Sequence, residues 1–381
     1  MTTVEILDRL VGFATVSRDS NLELIGFVQD YLSSRGIESR LYRDPTGTKA
    51  NLYASVGPRD RGGVLLSGHT DVVPVDGQRW SSDPFTLTAR GGAYYGRGAA
   101  DMKGFLACAL SAIDRARSRT LSTPLELAFS YDEEFGCLGV RSLVSDMASW
   151  THRPRFCIVG EPTELKIATG HKGKTVLRAT CHGLAAHSSH PQRGVNAIYL
   201  ATDFITRVRA RQRDIEMHGR RDTGFEVPYT TVHVGLIRGG SAVNIVPDRC
   251  ELELEVRNLA GDDPARVVAG IREDAQAAGA QTDRGLAAAG IELGVVSEYP
   301  GLETAEDAEI VSFVASLVGH RECVKVGFGS EGGLYAAQLG IPTVVCGPGS
   351  IGDAYKPDEH VTAEQLARCD QMLDALIDRL V

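Results

Sequence analysis

The chain has 381 residues, of which 43% are hydrophobic and 23% charged, and its formal net charge is −9. That length exceeds what one hydrophobic core usually serves and implies two domains, while an acidic balance without a basic block argues against nucleic acid as a partner. The absence of any apolar run of about 18 residues argues against a membrane-spanning helix; the eight scattered cysteines form no CxxC pair, which argues against a thiolate metal site, and Cys108, Cys157 and Cys346 inside apolar runs read as reduced core residues.

The N-terminal stretch MTTVEILDRL is amphipathic and carries two acids. It lacks the basic start and apolar core of a signal peptide, so a cytoplasmic protein is expected. Residues 19–35 show the one-sided apolar pattern of a helix. Val64-Leu65-Leu66 is a buried-strand pattern that ends in Ser67-Gly68-His69. Residues from Asp101 to Arg117 repeat the helical pattern through Phe105, Leu106, Ala109, Leu110 and Ile113. Leu125 to Tyr131 is a strand leading into Asp132-Glu133-Glu134, and Phe156 to Val159 leads into Gly160-Glu161.

From residue 174 the pattern changes. Lys174 to Cys181, Thr230 to Ile237 and Cys250 to Arg257 alternate like strands, with helices expected near 195–213 and 263–278. A helix over 303–318 and the apolar run Thr343 to Cys346 then restore the first pattern. The predicted fold is therefore α/β, with a mainly parallel-sheet catalytic domain over 1–173 and 287–381. An α+β domain over 174–286 is inserted into it. In open α/β sheets the functional crevice lies beyond the carboxyl ends of the strands, where this chain carries His69, Glu133 and Glu161.

Taken singly, these residues have ordinary readings. His69 in Gly68-His69-Thr70-Asp71 reads also as a histidine satisfied in a turn, and Asp101 as a helix N-cap. Asp132-Glu133-Glu134 reads also as a solvated loop. Together they place one imidazole and several carboxylates at three strand ends and one helix start. Carboxylates so clustered stay ionised only beside positive charge, and the set suits Zn²⁺, Mn²⁺ or Co²⁺, with one or two ions per chain.

The segments GHTDVVP, WSSDPF at 80–85, YGRGAADMKG, DEEFGCLGV, VGEPT, AAHSSHPQRGVNAI and NIVPD span nearly the whole chain. In this combination the sequence resembles the acetylornithine deacetylase and succinyl-diaminopimelate desuccinylase family of metallohydrolases. Gly170-His171-Lys172-Gly173-Lys174, residues 235–257 and Gly347 to Ser350 are most similar to acetylornithine deacetylase. The resemblance implies that His69, Asp101 and Glu161 hold one metal. Asp101 and Glu134 would reach a second, and Asp71 would orient His69. It implies Glu133 as the general base, His187 and Asn244 as groups that stabilise the oxyanion, and Arg257 as the grip on a substrate carboxylate. His187 reads also as a loop histidine, Asn244 as a turn residue and Arg257 as a surface ion-pair member. A homodimer built through the inserted lid and dimerisation domain is implied as well.

One position departs from the family pattern. Its last histidine ligand falls where this chain has Tyr355, in Ala354-Tyr355-Lys356-Pro357-Asp358-Glu359-His360. Tyr355 could ligate as a phenolate, His360 could swing in as the ligand, or the second site could be weak or empty. The expected reaction is metal-dependent hydrolysis of the amide of a small-molecule N-acyl amino acid, with N-acetylornithine first. A related acylase or peptidase, and a non-catalytic binding protein on the same fold, are the competing readings.

Overall fold

The computed structural model describes residues 1–280 and 289–381. These fall into two compact units, Met1–His171 with Leu302–Val381, and Lys172–Gly301. The second is thus an insertion into the first along the chain.

The first unit is an α/β layer structure. Among the described residues its sheet has nine strands. The strand Val64–His69 lies at its centre, paired in parallel with Leu125–Ser130 on one side and Phe156–Pro162 on the other. Thr343–Gly347 continues the parallel run beside Phe156–Pro162. Every residue of these four strands is buried, as expected of parallel strands covered on both faces. The edge Ser39–Arg43 and Ala50–Val56 is antiparallel. The helix Gly104–Ala116 contributes Phe105, Leu106, Cys108, Leu110 and Ile113 to a core shared with Thr3–Val11, Leu22–Ser33 and Ala363–Leu380. The first and last of these three begin with side-chain caps, a Thr2–Glu5 capping box and Thr362 on the Gln365 amide.

Gly160 shows how tightly the centre packs. A Cβ there would lie 2.0 Å from Cγ and Cδ1 of the buried Phe105 ring. Gly160→Ala is therefore expected to cost about 1–3 kcal/mol through overpacking, read as a lower midpoint in urea. An unchanged midpoint would contradict this packing.

The second unit is α+β. Its four-stranded antiparallel sheet runs Thr231–Gly239, Arg249–Asn258, Gly173–His182, Gly290–Tyr299. Arg249–Asn258 alternates buried and open positions, and its buried side chains join Phe204 of Ala197–His218 and Ile271 of Pro264–Gly279 in a separate core. The return expected at residue 287 lies outside the described residues. Gly290–Tyr299 pairs along its length with Gly173–His182, so the chain rejoins the first unit only at Leu302.

Candidate metal centre

Because the strands of the central run are parallel, their carboxyl ends meet along one edge. His69 ends its strand opposite Ser130, and Glu161 is the penultimate residue of Phe156–Pro162. Glu133 and Glu134 follow a turn in which Asp132 has φ 54°. Asp132 itself is drawn aside, with Lys49 Nζ at 2.5 Å.

His69 is central and 1% exposed. Its Nδ1 lies 2.8 Å from the main-chain oxygen of Asp71. A carbonyl only accepts, so Nδ1 carries the proton and donates it. Nε2 faces Asp101 Oδ1 at 3.0 Å and Glu161 Oε1 at 3.8 Å. The Asp71 carboxylate sits 3.5 Å from Nδ1. It accepts from the Ser17 hydroxyl at 2.7 Å and from the amides of Glu133 and Glu134 at 3.1 and 3.3 Å. Asp71 thus orients the imidazole through its main chain and fixes the turn that carries Glu133. Burial works to raise its carboxyl, but His69 and these donors outweigh it and hold it below the usual value.

Ligand atoms of His69, Asp101 and Glu134 lie within 4.8 Å of one another, and so do those of His69, Glu133 and Glu161. Burial, with Asp101 and neighbouring carboxylates adding, pushes the Glu134 and Glu161 carboxyls well above their usual range. Burial raises Glu133 to about 8, with His69 opposing. Glu161 Oε1 is buried and has no hydrogen-bond partner among the described residues. An orphaned carboxylate oxygen aimed at an imidazole nitrogen, inside a mutually repelling acidic set, fits a divalent cation.

Asp101 is not a helix N-cap. It lies ahead of the helix Gly104–Ala116 with φ −123° and ψ 92°, and its carboxylate turns to His69. His360 stands outside both ligand groups. Its ring stacks on Tyr95 with centroids 4.7 Å apart, and its Nδ1 lies 3.1 Å from the Asp358 carbonyl. Tyr355 does reach the centre, where its hydroxyl donates to Glu134 Oε2 at 2.8 Å.

The other expected residues lie in the second unit. His187 bridges to Ile245, and Ser188 donates to the Asn244 carbonyl at 3.0 Å, so His187 and Asn244 sit on adjoining loops. Arg257 forks onto Glu255, with Nε 2.9 Å from Oε1.

Four buried charged residues near the centre are not marked as site residues by the sequence. Glu331, 1% exposed, accepts from Ser130 and, at 2.9 Å, from Ser67. Both serines stand on the strands that end at the centre. Arg97 and Glu359 form a buried pair at 2.5 Å. Lys103 is wholly buried and brought down to about 7 by desolvation, with Glu359 and Asp71 opposing. A charged residue inside a small or apolar run, as in Ser330-Glu331-Gly332 and Met102-Lys103-Gly104, is the signal that points to two of them.

The family described as Peptidase family M20/M25/M40 matches residues 65–379, which include the whole centre. The chain belongs to this family. Acetylornithine deacetylase of Pasteurella multocida (strain Pm70) is 36% identical to it over 363 residues, 94% of this chain and 91% of that protein. The acetylornithine deacetylase of Myxococcus xanthus is 36% identical over 372 residues, 96% of this chain and 94% of that one. Among solved structures, a M20 family metallo-carboxypeptidase from Sulfolobus solfataricus matches with a TM-score of 0.80 at 19% identity, over 98% of both chains. A tripeptidase from Staphylococcus aureus subsp. aureus Mu50 matches at 0.77 and 21%, over 99% of this chain and 97% of that one. At these identities the structural matches speak for the fold. As an M20 family member the chain is a metal-dependent hydrolase acting on linear amides. No helix among its described residues is long and apolar enough to cross a membrane.

Proposed function

We propose that this M20 hydrolase removes the acyl group from an N-acyl amino acid, with N-acetylornithine or a close analogue as substrate and a place in arginine biosynthesis. The observation that carries the reading is the orphaned Glu161 oxygen facing His69 beside a buried, proton-accepting Glu133. Similarity to two acetylornithine deacetylases over nearly the full chain supports the substrate. Zn²⁺ is the proposed ion, with Co²⁺ or Mn²⁺ as substitutes, held by His69, Asp101 and Glu161. When bound, such an ion acts as a Lewis acid and makes water acidic enough to react at neutral pH.

The protein's own groups do the rest. Cys137 donates its thiol to Glu133 Oε1 at 3.4 Å, which leaves Oε2 to take a proton from the attacking water and deliver it to the leaving amine. His187 and Asn244 would stabilise the developing oxyanion, and Arg257 would exchange Glu255 for the substrate carboxylate. Arg257→Ala should then raise KM far more than it lowers kcat. Equal KM in variant and parent would remove Arg257 from the substrate grip. Acetate release from N-acetylornithine and an N-acyl amino acid panel tests the substrate; turnover of dipeptides alone would favour the peptidase reading instead.

The Tyr355 hydroxyl on Glu134 Oε2 supports one tightly held ion rather than two, because it occupies a ligand oxygen and, still protonated at neutral pH, is itself a weak metal ligand. Tyr355→His is expected to raise bound zinc from about one to about two equivalents per chain, counted by elemental analysis. An unchanged count would overturn the one-ion reading. A cytoplasmic homodimer assembled through the inserted unit completes the proposal. The exposed Leu236, Ile237, Val295 and Val296 on that unit's two edge strands support it, and a purely monomeric sedimentation profile would rule it out.

A further inference from the structure

Glu359 lies outside both ligand groups, yet among the described residues every hydrogen bond it makes goes to the segment that carries Asp101. Its Oε1 accepts the amide N–H of Ala100 at 3.1 Å and of Asp101 at 3.0 Å. Its Oε2 accepts Arg97 Nη1 at 2.5 Å, and its main-chain oxygen accepts the Gly96 amide at 2.9 Å. Glu359 is 1% exposed and Arg97 is fully buried. A carboxylate and a guanidinium so placed are tolerated only when their geometry is fixed by partners.

The pair is anchored in turn. Gln78 Oε1 accepts Arg97 Nη2 at 2.6 Å, while Gln78 Nε2 donates to the Tyr355 carbonyl at 2.9 Å. The Tyr355 hydroxyl reaches Glu134 at the other side of the centre. Residues 355 and 359 therefore brace Glu134 and Asp101, the two carboxylates grouped with His69, one through a side-chain hydroxyl and the other through two main-chain amides. Asp101 needs this brace, because its extended φ of −123° interrupts an otherwise helical turn and gives its amide no place in a regular ladder.

We propose that Glu359, clamped by Arg97, is a positioning residue that holds Asp101 at the distance from His69 required to bind the metal. This rests on the reading that Asp101 is a metal ligand. It is tested without substrate, so a wrong substrate assignment leaves the readout intact. Zinc affinity is measured by titration of the full-length protein, and the ligand geometry is read from the visible absorption of the Co²⁺-loaded form. Glu359→Gln keeps the shape but removes the charge that Arg97 holds. It should lower zinc affinity about 10- to 100-fold, the usual effect of losing a group that orients a ligand, and shift the Co²⁺ bands. A variant that unfolds cooperatively and yet keeps parental affinity and parental bands overturns the proposal. If Glu359→Gln does not fold, Gln78→Ala decides, since Gln78 is only half-buried. A weaker zinc site with shifted bands supports the brace, and parental values for both overturn it.

Discussion

Glu133→Gln is expected to reduce turnover of the N-acyl substrate by about 100- to 10,000-fold, the range that a positioned general base supplies. The substitution keeps the size of the side chain and the acceptor for the Cys137 thiol, which meets Glu133 Oε1 at 3.4 Å. It also keeps the Glu133 amide on Asp71. Zinc affinity should therefore stay close to the parent while kcat falls. The split separates a base from a ligand: a large loss of affinity with a proportionate loss of rate would make Glu133 a ligand. An unchanged rate would remove it from the chemistry altogether.

The second large effect is on stability. In the metal-free protein Glu133, Glu134 and Glu161 have carboxyls raised above the ordinary 4.5, Glu133 to about 8. Between those values the folded state keeps protons that the unfolded chain has released, so stability falls as pH rises. His69 acts with the same sign. Burial works to lower it, but Glu161, Asp101 and Asp71 outweigh burial and raise it well above 6.5, so its contribution is present below that value and lost as pH climbs. Thermal unfolding in the presence of a chelator should thus show a midpoint that declines from pH 5 towards pH 8. Zinc replaces those protons as the compensating charge. At a free concentration about 100 times its Kd it should add about 2.7 kcal/mol and flatten the decline. A chelated midpoint that rises steadily over that range would mean that the carboxylates are not held together as described.

Much of this centre is legible in the sequence because parallel strands put their carboxyl ends on one edge. His69 and Glu161 each follow a short apolar run, and that alone places them side by side. Asp101 is legible as a site residue but not in its conformation, since a helical pattern running through it hides the extended turn before Gly104. The supporting charges are less accessible. Glu331 meets Ser130 across 201 positions, and Glu359 meets Asp101 across 258; nothing local foretells such pairings. The same holds for Gly290–Tyr299, whose partner Gly173–His182 lies more than 100 positions earlier. Tyr355 is visible in the sequence as a departure, but its bond to Glu134 is a matter of geometry alone.

The most direct test is acetate release by protein stripped of metal and then reloaded with Zn²⁺, Co²⁺ or Mn²⁺, across N-acyl amino acids that include N-acetylornithine. Turnover that vanishes on stripping and returns with metal is the expected result. No turnover of any N-acyl amino acid under any of the three ions, or turnover undiminished after stripping, would contradict metal-dependent deacylation at this centre.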